Sequence, residues 1–128
     1  MAERLKKLKR LRHTWEQRKR STEYKMAAIA TEISQVNAEE QHLAKCLDGG
    51  EGLYGQFTDL VAQRLHGAAN RKASLGAKMD SVRVIHRKDA MNLRRCEILE
   101  GRQKSDLERR EEAASLENIL EVFLSRKS

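Results

Sequence analysis

The sequence predicts an all-α fold, namely an elongated antiparallel two-helix coiled-coil hairpin whose second helix is the longer one. Three observations predict it. The 128 residues contain no proline, and apolar residues repeat at coiled-coil spacing on both sides of one glycine-rich stretch. In addition, 35% of the residues are charged and only 4% are aromatic. This composition favours helices that each bury a narrow apolar stripe over a broad globular core.

The glycine-rich stretch is Asp48-Gly49-Gly50-Glu51-Gly52, and it predicts the turn of the hairpin. Glycine adopts left-handed backbone angles without steric cost, so Gly49 or Gly50 can end a helix after Leu47. We therefore expect a single domain over residues 1–128, with helix 1 at about residues 3–47, the turn at about 48–52 and helix 2 at about 53–125.

Two interleaved seven-residue ladders predict the seam of helix 1. The seam is mostly apolar from Met26 onward and more polar toward the N-terminus, where Arg12, Lys19 and Thr22 occupy seam positions. Packing should therefore be tighter near the turn. The ladders consist of Leu8, Trp15, Thr22, Ile29, Val36 and Leu43, and of Leu5, Arg12, Lys19, Met26, Ile33, Glu40 and Leu47.

Helix 2 carries a second seam of similar quality. Gly55, Gly67 and Gly76 each cost this helix roughly 1 kcal/mol relative to alanine, and a close approach of the two helices is the simplest explanation for them. The seam follows an apolar patch at Leu53, Tyr54, Phe57, Leu60, Val61 and Leu65, and its ladders are Leu65, Lys72, Met79, His86, Leu93, Glu100 and Leu107 with Val61, Ala68, Leu75, Val82, Asp89 and Cys96.

Symmetrical folding about residue 52 predicts a register in which Ile29 lies opposite Leu75. Residues from about Gly101 onward then have no partner in helix 1. We favour one long helix for this overhang, because a single glycine is a weak terminator and no proline supports a stop. The alternative is a break near Gly101 and a third short helix that begins at Ser105. The apolar residues of the overhang are Leu116, Ile119, Leu120, Phe123 and Leu124.

The net charge of +7 falls entirely within the first 25 residues, which contain ten Lys or Arg residues and three Glu residues. Such a basic segment can be a nucleic-acid arm, a membrane-surface helix or a continuation of the seam with charges that face solvent or an acidic partner. We favour the seam, because Leu8 and Trp15 share the heptad phase of Ile29 and Val36. Nucleic acid is disfavoured, since the segment has no interleaved row of stacking aromatic residues beyond Trp15 and no base-reading pattern.

The sequence shows no catalytic constellation, so we expect neither an enzyme nor a cofactor. It has no phosphate-binding glycine loop, no nucleophile elbow and no pair of CxxC motifs. His42 and Cys46 have ligand spacing on a helix, but a structural zinc site needs two further ligands, so we expect no metal site. Two cysteines, no secretion signal and no apolar run of roughly 20 residues predict a cytoplasmic, reduced protein without a membrane span.

A basic opening at residues 4–12 is followed by a Glu/Ala/Gln-rich first helix, a glycine-containing turn and a longer basic second helix, which starts with residues 53–60 followed by Ala62-Gln63-Arg64-Leu65. In these features the chain resembles the FliJ/YscO family, the small coiled-coil stalk proteins of flagellar and type III secretion export machines. The resemblance covers nearly the whole chain.

The resemblance implies a non-enzymatic stalk that binds and stimulates the hexameric export ATPase and contacts the export gate or substrate chaperones. It implies a cytoplasmic location, with peripheral association at the inner-membrane export apparatus as an option. The competing classes are a generic coiled-coil adaptor or scaffold and a basic nucleic-acid or membrane-surface binder. By analogy, the ATPase end would comprise Leu5, Lys6, Lys7, Lys9, Arg10, Arg12, Leu120, Phe123 and Leu124, and the gate or chaperone surface would comprise Leu53, Phe57, Leu60 and Arg64.

Overall fold

A computed structural model describes the backbone of residues 2–48 and 55–127 and the side chains of residues 2–48 and 57–126. Two α-helices account for all of these residues. Helix α1 spans Ala2–Asp48, with 47 residues, and helix α2 spans Gly55–Lys127, with 73 residues. The helices pack against each other as an all-α helical hairpin, which confirms the predicted fold class. Residues 49–52 of the predicted turn lie outside the described residues.

Helix α2 continues through Gly101 and Ser105 without a break. Of the two alternatives for the overhang, the structure therefore shows the long helix. A side chain at Gly101 would meet no other atom within 4 Å, so no neighbouring segment forces the helix to end there. An intrinsic cost of about 1 kcal/mol for one glycine is too small to stop a helix of this length.

The predicted seam matches the buried side of both helices. Every residue of the two α1 ladders is buried or half-buried. The same holds for the α2 ladders except Lys72, which is exposed. Heptad spacing keeps these positions on one side of each helix, so that one stripe is covered while the opposite side meets water.

The chain divides into two compact units, here called the central unit (Lys19–Lys88) and the terminal unit (Met1–Arg18 with Asp89–Ser128). The core of the central unit is small. Val36, Ala68 and Leu75 form its buried cluster, with Ile29 and Ile33 packed against it. Ala68 has no exposed surface at all. The hydrophobic stabilisation of this unit therefore depends on a few side chains in a single layer between two helices.

The register predicted from symmetrical folding is wrong by about one heptad. Glu39 lies against Arg71, where that register expects Leu65. A seam that repeats every seven residues looks the same after a shift of seven, so its apolar pattern does not distinguish these registers. Three antiparallel contacts in the central unit define the observed one: Arg71 Nη2 to Glu39 Oε2 at 2.9 Å, Lys72 Nζ to Glu40 Oε2 at 3.6 Å, and His86 Nε2 to Glu23 Oε1 at 3.2 Å.

Polar residues at seam positions are accommodated by local and cross-helix contacts. Thr22 is buried in the central unit, and its hydroxyl donates a hydrogen bond to the backbone carbonyl of Lys19 at 2.8 Å. This bond within α1 gives the buried hydroxyl a backbone acceptor. Glu40 reaches across to Lys72 at the rim of the seam. Polar seam residues therefore need not disrupt the packing.

The predicted reason for the α2 glycines is wrong at two positions. A Cβ atom at Gly67 or Gly76 would meet no other atom within 4 Å, so no close approach of the helices requires glycine there. Gly55 lies outside the residues whose side-chain surroundings are described. Gly67 and Gly76 therefore reduce the stability of α2 without a packing benefit at either position.

Candidate interaction surfaces

Four cations form a basic face on the first turns of α1, in the terminal unit. Lys6, Lys7, Lys9 and Arg10 are all exposed, because they occupy positions between the seam residues. Within the part of the chain that the structure describes, no acidic group lies within 4.0 Å of their charged atoms. The positive charge of this basic face is therefore available to an acidic surface or to phosphate groups.

Leu5 and Arg12 differ from these four residues because both belong to the seam. Leu5 is half-buried, and Nε of Arg12 lies 2.9 Å from Oε2 of Glu100 in α2. The same Nε atom is buried and lacks a partner with hydrogen-bond alignment, so this contact is an ion pair rather than a well-formed hydrogen bond. The structure thus places Arg12 in the packing of the terminal unit and leaves the four exposed cations as the basic face.

The predicted apolar residues at the C-terminal end of α2 are exposed. Leu120, Phe123 and Leu124 are 58%, 54% and 64% exposed, and all residues from 108 to 126 are exposed. The last half-buried seam residue of α2 is Leu107. An exposed apolar cluster of this kind is typical of a surface that binds another protein.

Leu116, Leu120 and Phe123 do not continue the seam. At about 100° per residue, Leu116, Leu120 and Phe123 fall within about 60° of one another on the helix. Counted in the same way, at about 100° per residue, the buried seam residues Cys96 and Gln103 project from the opposite side of the helix. Extending α1 toward its N-terminus would therefore not cover this apolar face, which must be considered a separate surface.

The gate or chaperone candidate lies at the start of α2, in the central unit. Phe57 is 42% exposed, Leu60 is 46% exposed and Arg64 is also exposed. Their spacing of three and four residues puts them on one side of the helix, while Val61 is buried in the seam. Leu53, the fourth predicted member, lies outside the described residues. Phe57 and Leu60 are thus accessible to a partner.

No metal-site geometry and no membrane span are found among the residues described. Over residues 2–48 and 57–126, no group of three or more His, Cys, Asp or Glu side chains could hold a metal ion. His42 is exposed and Cys46 is half-buried, and both Cys46 and Cys96 are free thiols. Within the described helices, no stretch is long and apolar enough to cross a bilayer.

Sequence reasoning missed one surface, an apolar row on the outer side of α2. Met91 and Ile98 are 56% and 42% exposed and share the helical phase of Leu116 and Leu120. The signal was present in the sequence, because Met91 and Ile98 are seven residues apart and Ile98 and Leu116 are 18 residues apart, which is five helical turns. The stronger seam ladders concealed it, since the row is interrupted by Arg102, which has the same phase.

Comparison with other proteins identifies no relative of this chain. No protein-family model matches it, and neither does any curated protein or solved structure. The function is therefore inferred from the surfaces described above and from the resemblance of the sequence.

Proposed function

We propose that this protein is the non-enzymatic coiled-coil stalk of a flagellar or type III export apparatus, and that it binds and stimulates the hexameric export ATPase. One observation carries the proposal. The terminal unit presents both an exposed basic face on α1 and an exposed apolar end of α2. The resemblance to the FliJ/YscO family assigns the ATPase contact to these same two segments.

The two surfaces supply complementary parts of a binding free energy. The basic face at Lys6, Lys7 and Arg10 favours encounter with an acidic surface and makes the association rate sensitive to salt. Leu120 and Phe123 supply apolar area that a partner can bury, and large apolar side chains often dominate the affinity of an interface. A basic segment alone would bind many anions, whereas the added apolar contact selects a partner with a matching groove.

The second part of the proposal is that the start of α2 contacts the export gate or substrate chaperones. Phe57, Leu60 and Arg64 offer two half-exposed apolar side chains and one cation on one side of a helix. A surface of this size supports a weak and reversible contact, because stable interfaces bury at least about 1,000 Å² in total. In this proposal the protein is cytoplasmic and associates peripherally with the membrane-bound export apparatus.

The ATPase contact is tested with the purified export ATPase of the same export system. We expect the full-length chain to increase ATP hydrolysis and ring formation. The triple variant Lys6→Glu, Lys7→Glu and Arg10→Glu should lose most of this effect, because it inverts the charge of the basic face. A matched control reverses three exposed cations of the central unit, Lys45, Lys78 and Arg87.

Two results contradict the ATPase contact. One is that the wild-type chain changes neither hydrolysis nor ring formation. The other is that the control variant loses as much stimulation as the basic-face variant, because the effect would then follow total charge rather than a defined surface.

The exposed cations also support a second candidate function, binding of nucleic acid or of an anionic membrane surface. Salt-sensitive retention on DNA, or on vesicles that contain anionic lipid, at physiological ionic strength would favour this candidate. Absence of retention on both matrices, combined with ATPase stimulation, would exclude it. Absence of all three activities would leave a generic coiled-coil adaptor.

A further inference from the structure

Arginine and apolar side chains form a patch on the outer side of α2 in the terminal unit. Met91, Ile98 and Leu99 are 56%, 42% and 46% exposed, and Arg95 and Arg102 are also exposed. At about 100° per residue, the five positions lie within about 100° of one another, on the side opposite the buried seam. They extend over roughly 17 Å of helix. These five residues are called the arginine patch below.

The acidic residues in this part of α2 lie away from the patch and have other partners. Residues 90–104 contain two of them, Glu97 and Glu100. At about 100° per residue, both project from the seam side of the helix. Glu97 Oε2 lies 3.6 Å from Nη1 of Arg94, and Glu100 Oε2 lies 2.9 Å from Nε of Arg12. Neither carboxylate is therefore placed to neutralise the arginine patch.

The two arginines of the patch are left with uncompensated charge. Over the part of the chain that the structure describes, no carboxylate lies within 4.0 Å of Arg95 or Arg102. The next acidic residue on the outer side is Asp106, one turn beyond Arg102, and the patch ends before it. Guanidinium groups form strong, charge-assisted hydrogen bonds with carboxylates. The patch is therefore complementary to a surface that carries carboxylates beside apolar side chains.

The order of the side chains favours a helix as the complementary surface. Apolar and cationic residues alternate along α2 in the order Met91, Arg95, Ile98, Arg102. A bilayer accommodates an apolar stripe with cations at its edges, but immersion of Ile98 would here bury Arg95 as well. A nucleic-acid backbone would pair with the arginines and offer no apolar surface to Ile98 and Leu99. A helix supplies apolar and acidic side chains at the same steps of three or four residues.

We propose that the arginine patch binds an amphipathic helix of a partner protein, and that this helix alternates apolar and acidic side chains along its contact face. Met91, Ile98 and Leu99 contact the apolar side chains, and Arg95 and Arg102 pair with the carboxylates. Electrostatic complementarity selects the acidic partner. A contact of about three helical turns is small, so the complex is weak and reversible.

This inference does not depend on the proposed stalk function. The arginine patch shares no residue with the basic face of α1 or with Leu120 and Phe123, which are assigned to the ATPase. It is tested with a peptide and without any ATPase. Failure of one proposal is therefore distinguishable from failure of the other.

The first test is a fluorescence-anisotropy titration of a labelled, designed helical peptide with the full-length chain. Leucine and glutamate alternate on one face of this peptide at steps of three and four residues. The control peptide has the same composition in a scrambled order that forms no such face, because any acidic peptide is attracted to the basic face of α1. We expect the amphipathic peptide to bind at least about tenfold more tightly than the scrambled peptide.

The second test reverses charges in the protein and in the peptide. The double variant Arg95→Glu and Arg102→Glu should weaken binding of the amphipathic peptide at least about tenfold, because like charges then meet across the contact. The matched control, Lys45→Glu and Lys78→Glu, reverses two exposed cations of the central unit and should change the affinity less than about twofold. A peptide with lysine in place of glutamate should bind the arginine-patch variant more tightly than it binds the wild-type chain.

Four results would overturn the proposal. The first is an amphipathic peptide that binds no more tightly than the scrambled one. The second is a control variant that loses as much affinity as the arginine-patch variant. The third is a lysine peptide that does not prefer the arginine-patch variant. The fourth is binding of DNA, of anionic vesicles or of a second copy that this variant loses, in a chain that does not bind the peptide. Circular dichroism of each variant identifies any loss of folding.

Discussion

The replacement Leu75→Ala tests whether the central unit is stabilised by its small seam core. Leu75 is 8% exposed and belongs to the buried cluster with Val36 and Ala68. Alanine has the highest helix propensity, so the substitution leaves α2 intrinsically as helical as before. The change in free energy of unfolding therefore reports the lost packing.

The magnitude follows from the amount of burial and from the thinness of the core. Leu→Ala substitutions at buried sites cost about 2–5 kcal/mol, and the cost is smaller where neighbours or water can fill the space. The Leu75 cluster is a single layer with solvent on both sides, so we expect about 2–3 kcal/mol. Leu60→Ala is the matched control. Leu60 is 46% exposed on the same helix, so this change should cost less than about 1 kcal/mol.

The assay is urea unfolding of both variants and of the wild-type chain, followed by circular dichroism at the helical band. Equal slopes of the free energy of unfolding against urea concentration would show that all three chains expose a similar amount of surface on unfolding. The reasoning is refuted if Leu75→Ala costs no more than Leu60→Ala, because burial would then not determine stability in this unit.

Three further predictions concern a helix glycine, a cross-helix ion pair and the two cysteines. Gly76→Ala should raise the free energy of unfolding by about 0.5–1 kcal/mol in the same urea assay, since a Cβ atom there meets nothing within 4 Å; a loss of stability would contradict the open surroundings. A double-mutant cycle on Glu40 and Lys72 should give a coupling of only about 0.2–1 kcal/mol, because the charged atoms lie 3.6 Å apart at the rim of the seam; coupling of zero would remove this pair as a determinant of register. In folded protein, Cys46 should react with a thiol reagent more than about tenfold faster than Cys96, which is 7% exposed, and equal rates would show that the terminal unit opens freely.

The sequence was sufficient to predict the helices and the seam, because apolar periodicity is a property of the whole segment. All residues of the α1 ladders proved buried or half-buried, including the polar Arg12 and Thr22. The register was not predictable in the same way. Shifting one ladder by seven residues brings similar side chains into the same seam positions. The choice between the two registers therefore depends on specific contacts such as that between Glu39 and Arg71.

The candidate surfaces were predictable where exposure follows directly from helical phase. Lys6 and Lys7 lie between seam positions and are exposed for that reason. The involvement of Arg12 with Glu100 depends on the register and could not be derived from the same pattern. The outer row was overlooked because a helix with one strong stripe conceals a second, weaker stripe on its opposite side.

The antiparallel pairing of α1 and α2 in the observed register decides which side chains are buried and which are left for partners. Distances between spin labels in the central unit test it most directly. Spin labels are attached to cysteines introduced at the exposed positions Ala38 and Ala73, and the native Cys46 and Cys96 are changed to serine. Labelled chains are diluted with unlabelled ones. A second pair joins Ala38 to His66, seven residues earlier on α2.

We predict that the 38–73 pair is the closer one, separated by little more than the interaxial distance of about 10 Å plus the label arms. The 38–66 pair should be longer, because its labels are offset by about 10 Å along the helix axis. A shorter 38–66 distance would contradict the observed register. A distance of about 50 Å for the 38–73 pair would contradict the hairpin itself, since it corresponds to one continuous helix.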